Sequence, residues 1–348
     1  MRHFFCFVCL LLTISVVSAA PKKAKLSLLD RSIAAAYTGF QKCKKLNIDC
    51  SIAIVNSYGV SITTMQMSGV LPLYPSLAYA EAFTSGTMGA STDELRAFSQ
   101  AHKPLHGIQG FGYWGKQVLL SSGGFALFDK NHKLIGGVGV SANKKGMGYS
   151  TWSAKNDLVG KTVYTAFNQL QSATALPKPV KAYLTLKDTQ HPQLSQIFNA
   201  ALYHGTQYCK KLHIACVVVI SNVHGDNFFM MDMDRDDVHA QVPFTKMVAL
   251  TSAATGVPSG KLEDRSPLEN VSSGIFGYRY GLGYLMGVNG GYPIFYQGKV
   301  IGGLGVGTTP LSTVKADYRG YSEIVSKVIL KYINQLLVQF KPKNDVEW

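Results

Sequence analysis

After its first 17 residues the chain has no apolar run approaching the roughly 20 residues that a membrane-spanning helix needs, so no later segment reads as a membrane span. Acidic side chains are scarce, with 20 Asp and Glu against 34 Lys and Arg and a formal charge of +14. A G-x-S-x-G elbow is missing, which removes one route to nucleophilic catalysis. The glycine-rich stretches lack a P-loop lysine. Cysteine is rare, at six residues, and neither a Cys-Cys-His-His spacing nor a Cys quartet with zinc-finger spacing occurs, so no metal site is expected.

What is present begins with a leader. Arg2 and His3 precede an apolar run from Phe4 to Val17, followed by Ser18, Ala19 and Ala20. That order is the pattern of a secretory signal peptide cleaved after Ala19. The expected signal is 1–19, the mature chain is expected to be secreted, and its charge falls only to +13 when Arg2 leaves. A basic extracellular protein is expected to hold anionic polymers or mineral surfaces, such as silica or acidic glycans. Nucleic acid is disfavoured by the secretory route.

The remaining length and 47% hydrophobic residues suit two domains, and the sequence repeats accordingly. Gln41-Lys-Cys-Lys-Lys-Leu-Asn-Ile-Asp-Cys50 recurs as Gln207-Tyr-Cys-Lys-Lys-Leu-His-Ile-Ala-Cys216, at an offset of 166. The same offset carries Leu134-Ile-Gly-Gly-Val-Gly-Val140 onto Val300-Ile-Gly-Gly-Leu-Gly-Val306, and an offset of 167 carries Gly123-Gly124 onto Gly290-Gly291. The first unit is placed at 26–171 and the second at 190–340. Between them, 172–189 reads as a linker stiffened by Pro177 and Pro179.

Periodicity predicts the same elements in each unit. Helical spacing covers 26–46, a hairpin follows at 50–55 and 60–65, a helix is expected near 76–90, strands end at 134–140, and a last helix spans 151–170. The second unit repeats this with helices at 193–212, 243–256 and 312–338, and strands at 216–221, 226–231 and within 284–306. The strand connections are too short for parallel crossovers, so the fold class is α+β with mostly antiparallel strands and flanking helices.

Cys6 and Cys9 leave with the signal, and the other four form two C-x6-C pairs. In an oxidising compartment these read as disulfides, Cys43 with Cys50 and Cys209 with Cys216, each stapling a helix-to-strand corner.

Both units resemble the GlcG/HbpS family, whose domains are linked to haem binding or degradation. The resemblance rests on a first helix feeding a strand that ends in a turn glycine (Ser51-Ile-Ala-Ile-Val-Asn-Ser-Tyr-Gly59 and Val217-Val-Val-Ile-Ser-Asn-Val-His-Gly225). It rests also on the Gly-Gly, strand, Gly-Gly-x-Gly-Val series ending at Val140 and Val306. It implies a small sheet with flanking helices, assembly through domain pairs, a pseudo-symmetric pair within this chain, and haem as the cofactor the family would bring. Two departures stand out. The family's Lys-Ala pair on the central helix is Glu81-Ala82 in one unit and Val248-Ala249 in the other. The acidic residue after its Gly-Val-Ser-Gly turn is missing from Val140-Ser-Ala-Asn-Lys-Lys145 and Val306-Gly-Thr-Thr-Pro-Leu311. Polar pocket groups are therefore expected to be lost from both units.

Other candidates are weaker. His102 and His106 have helical spacing but flank Pro104; His204, His213, His224 and His239 have no counterparts in the first unit and read as structural or exposed. Asp232-Met-Asp-Arg-Asp-Asp237 lacks the central glycine and terminal glutamate of an EF-hand and reads as a solvated connection. The glycine-rich strands read as close strand packing. Glycine-aromatic loops at 107–115 and 274–283 present rings for packing or contact. Asn270-Val-Ser272 is a glycosylation sequon. Lysines gather at Lys22, Lys23 and Lys25, at Lys44 and Lys45, at Lys144 and Lys145, and at Lys210 and Lys211, with Lys341 and Lys343 near the end.

No residue presents itself as nucleophile or base. The leading expectation is a secreted, non-catalytic matrix or scaffold protein that self-associates and binds anionic polymer or mineral through lysine-rich faces, with no cofactor. The alternative is a haem or tetrapyrrole binding or carrier protein.

Overall fold

The computed structural model describes residues 24–71, 73–100, 118–143, 148–186, 189, 192–223, 228–233, 241–263, 279–280, 283–284, 287–310 and 318–340. The first unit consists of α1 (Leu28–Lys45), β1 (Asp49–Asn56), β2 (Ser61–Gln66), α2 (Leu73–Met88), α3 (Thr92–Phe98), β3 (Phe125–Phe128), β4 (Leu134–Asn143) and α4 (Tyr149–Gln169). A connecting helix α5 (Lys178–Thr185) leads to α6 (Leu194–Lys211), β5 (Ile214–Ser221), β6 (Phe228–Asp232), α7 (Val242–Thr255) and α8 (Gly260–Glu263). A two-residue ladder, β7 (Arg279–Tyr280) with β8 (Gly283–Tyr284), precedes β9 (Gly291–Tyr296), β10 (Lys299–Pro310) and α9 (Tyr318–Leu337).

Local chemistry sets the boundaries. The Ser27 side chain accepts the amide of Asp30 to begin α1, and Lys42, Lys44 and Lys45 sit in its last turn, where cations complement the helix dipole. The corner into β1 uses Asn47 at φ 50°, and His213 takes the equivalent place after α6 at φ 54°. His213 is thus the left-handed corner residue of the second unit, a position where Asn and His are better tolerated than most side chains. Each corner is closed by the expected bridge, Cys43–Cys50 and Cys209–Cys216.

The two units do not stand apart on a linker. Their strands form one antiparallel sheet in the order β3-β4-β1-β2-β6-β5-β10-β9, joined at the centre by β2 and β6. Thr64 pairs with Met230, its own equivalent at an offset of 166, so a pseudo-two-fold axis passes through the middle of the sheet. Helices α1, α4, α6 and α9 cover one face; α2 and α7 cover the other. A single apolar core runs under the first set from Leu29, Ile33 and Phe40 to Ile329 and Ile333.

Residues 172–189, expected as an extended linker, contain α5 instead. Pro179 lies in its first turn, where a missing amide costs nothing, and Val180 and Leu184 are buried in the shared core. The glycine-rich strands also do more than pack strand on strand. A Cβ on Gly136 would meet the Val55 carbonyl at 2.0 Å, which is strand packing, but one on Gly139 would meet the Ala78 carbonyl of α2 at 2.0 Å. In the second unit, Gly303 stands at 2.0 Å from the Ala249 carbonyl of α7 by the same measure. The helix backbones lie directly on the strands because the side chains between them are absent.

Candidate functional site

In both units the inner helix, the long strand and the last helix converge where the preceding short strand begins at a double glycine. Gly123 and Gly290 adopt φ of 128° and 110°, a region that only glycine enters without strain. The turn is held by a hydroxyl. Thr92 Oγ1 accepts the Gly124 amide at 3.1 Å, and Ser259 Oγ accepts the Gly291 amide at 3.0 Å. Neither hydroxyl stands out in the sequence, because each lies 32 residues from the glycine it serves.

From this shared frame the two sites diverge. In the first unit Glu81 reaches from α2 to the sheet edge. Ser121 Oγ donates to Glu81 Oε1 at 2.5 Å, and the Val140 amide donates to Oε2 at 3.1 Å. Beside it Ser122 donates to Asp93 at 2.8 Å and contacts Ser153 Oγ at 2.5 Å, while the Ala142 amide donates to Asn156 Oδ1 at 3.0 Å. Burial pushes the Glu81 carboxyl well above the usual range; the bonds from Ser121 and Val140 pull the other way, and the nearby Asp93 charge adds to the rise. Burial, and then Asp93, also raises Asp157. The expected loss of polar pocket groups is therefore wrong for the first unit. The family's lysine is replaced by a carboxyl that Ser121 and the Val140 amide hold, with Ser122, Ser153 and Asn156 forming polar contacts beside it.

In the second unit Val248 stands where Glu81 does, Val288 where Ser121 does, Gly307 where Ser141 does and Ser322 where Asn156 does. The result is a cleft of about 370 Å³. Its apolar walls are Phe244, Val248, Val288 and Val306, and its polar rim includes Gln241, Asn289, Thr308 and Ser322. Phe244 is 49% exposed, which is high for so large a ring. Among the described lining residues there is no histidine, cysteine, methionine or carboxylate, and the described residues hold no cluster of three or more His, Cys, Asp or Glu side chains.

A third cluster lies beside the pseudo-two-fold axis. Lys246 of α7 places its ammonium 5.3 Å from the Tyr79 ring of α2 and 5.4 Å from the Phe228 ring of β6. Lys246 and Tyr79 are equivalent positions of the two units, so each meets its counterpart across the axis. Burial lowers the Lys246 amine to about 8.

The lysines expected to form anion-binding, lysine-rich faces are spread out where they are described. Lys25, Lys44, Lys45 and Lys211 are exposed, while Lys210 pairs with Asp30 at 3.2 Å. Asp30 opens α1 and Lys45 ends it, so the Lys44–Lys45 and Lys210–Lys211 pairs are on the order of 20 Å apart at 1.5 Å per helical residue. Lys22, Lys23, Lys144, Lys145, Lys341, Lys343, Asn270, His102, His106, His224, His239, the 107–115 loop and most of 274–283 lie outside the described residues. His204 stacks on Tyr332 at 4.2 Å, and Asp232 ends β6 as a buried residue.

Three kinds of comparison bear on this architecture. Curated proteins return no match. Among solved structures, the PduOC:heme complex is 24% identical, covering 41% of this chain and 95% of its own, with a TM-score of 0.35. Klebsiella pneumoniae protein ORFY is 18% identical, covering 43% and 97% with a TM-score of 0.36, and Streptomyces reticuli HbpS, as a double mutant, is 20% identical, covering 43% and 94% with a TM-score of 0.32. Each therefore spans about one unit of the two. The family model described as "Haem degrading protein HbpS-like" matches residues 29–147 and again 195–313. With both units matched up to the start of their last helices, and more than half of the chain covered, the chain belongs to the HbpS-like family.

Proposed function

We propose that this chain is a tetrapyrrole-binding carrier that uses the cleft of its second unit and holds its ligand by the ring rather than by a central metal. The cleft carries the reading. Its volume falls within the range of small-molecule sites, and its makeup of apolar walls with a few polar groups is that of a site for a flat, mostly apolar ligand. Membership of a haem-related family supports the ligand class.

The fit differs between the parts of haem. Phe244, Val248, Val288 and Val306 offer a face for the macrocycle, and Gln241, Asn289 and Thr308 offer hydrogen bonds to polar substituents at its edge. No described lining residue is a customary axial ligand for iron. When bound, haem would supply redox chemistry at its iron; the residues here bind and orient the ring and assign it no reaction. Titration with haemin and with metal-free protoporphyrin, followed by absorbance, tests the reading. Saturable binding of both, with comparable affinities, is expected. Binding of haemin alone would show that the iron is the anchor, and binding of neither would end the proposal.

Secretion remains part of the reading, supported by the two disulfides and the leader-like amino terminus. The scaffold reading, with self-association and lysine-mediated binding of an anionic polymer or mineral, retains the support of the basic charge balance. The separation of the lysine pairs weighs against a single binding face. Retention on a sulfated glycan or silica that salt abolishes would favour it.

A further inference from the structure

We infer that the exchange of Glu81 and Ser121 for Val248 and Val288 decides which unit takes a ligand, so that the chain has one receptive cleft and one site filled by its own side chains. This rests on the cleft reading above and deepens it by assigning stoichiometry and the residues that set it.

The frame is the same in both units. The double-glycine turn, its hydroxyl partner and the helix seated on glycines recur at equivalent places. What changes is the side chain at the centre. Glu81 and Asn156 are fully buried and bond the two free edge amides of β4, at Val140 and Ala142. The second unit satisfies the first of these edge positions through its own backbone. The Val306 amide donates to the Gly290 carbonyl at 3.0 Å, and the Thr308 and Ser322 hydroxyls meet at 3.0 Å. Because a backbone carbonyl serves the Val306 amide, no carboxyl has to reach it across the gap, and Val248, Val288 and Val306 are left facing open volume. In the first unit a carboxyl, an amide and the Ser141 hydroxyl stand where a valine, a serine and a glycine stand in the second. More side-chain atoms occupy the same frame; the Glu81 carboxyl and Asn156 Oδ1 are bonded into it, while Ser141 Oγ and Asn156 Nδ2 are buried without a partner.

The experiment uses the full chain and reciprocal exchanges. Wild type is expected to bind one protoporphyrin per chain. Val248→Glu with Val288→Ser is expected to weaken binding at least about tenfold, since a carboxyl enters the apolar wall. Glu81→Val with Ser121→Val is expected to raise the stoichiometry to two. Two sites in wild type, or binding lost on the exchange in the first unit and kept on the exchange in the second, would overturn the inference while leaving tetrapyrrole binding intact. A ligand-independent arm separates the two proposals if protoporphyrin does not bind. Xenon, which enters apolar cavities, should shift the methyl resonances of Val248, Val288 and Val306 and leave those of Val140 unmoved, and the Glu81→Val, Ser121→Val chain should gain a shift at Val140. Equal xenon shifts at Val140 and Val306 in wild type would overturn the inference even without a tetrapyrrole.

Discussion

The first and second units share strand order, disulfide position and double-glycine turn, yet one is filled at its centre by Glu81, Ser121 and Asn156 and the other opens into a cleft lined by Val248 and Val288. Duplication kept what the backbone needs and released what the side chains do. Glycines under α2 and α7 are held by contact with helix carbonyls, where an added methyl has no place to go. A side chain facing the site answers only to its local partners, so a carboxyl in one unit and a valine in the other are both compatible with the same frame.

The sharpest way to break this comparison is to attack the shared part. Gly137→Ala and the equivalent Gly303→Ala put a Cβ within 2.4 Å and 2.0 Å of helix carbonyls, and each should cost about 3 kcal/mol, the upper part of the usual range for overpacking. Because both units build one sheet, urea unfolding should show one transition for either variant; two transitions would mean that the units unfold independently. Replacing Cys43 and Cys50 together by serine should cost about 2 to 3 kcal/mol from the loop released, and replacing Cys209 with Cys216 should cost the same, since the bridges close loops of equal length. Unequal losses in thermal unfolding would show that the corners are not equivalent.

Smaller effects sharpen the differences. Glu81 has a raised pKa, so the folded state holds its proton longer than the unfolded state, and stability falls as pH rises from about the ordinary value of 4.5 to the raised one. Glu81→Gln should flatten that decline in pH-dependent denaturation, and an unchanged profile would count against a buried titrating carboxyl. Lys246 has the opposite sense. Its amine is lowered from 10.5 to about 8, so the unfolded state binds the extra proton between those values and stability rises with pH across that window. Lys246→Met should remove the rise by raising stability below that window and changing little above it, because no ammonium is then buried and the rings of Tyr79 and Phe228 can pack on either uncharged side chain.

Much of the fold is legible in the sequence. The duplicated C-x6-C corners locate both bridges, and period-2 and period-3.6 patterns locate the hairpins and the long helices within a few residues. Helix α3 escapes notice because it is one short amphipathic turn sequence after Ser91, and α5 is hidden by prolines that suit a first helical turn. Of the site, Glu81 is visible as a departure from the family pattern, but its meaning is not. Ser121 and Val140 are 40 and 59 residues away from it, and a spacing of that size carries no local signature.

The sequence by itself determined that one module was copied, which elements each copy contains, and which cysteines pair, because repeats, periodicity and short loops are local properties of the chain. Tertiary structure alone decided that the copies merge into one sheet at Thr64 and Met230, that Tyr79 meets Lys246 at the axis, and that a glutamate fills one site while valines leave its twin open. Those outcomes depend on contacts between segments far apart in the chain, and burial, which sets both the charge of Glu81 and the emptiness beside Val248, exists only once those contacts have formed.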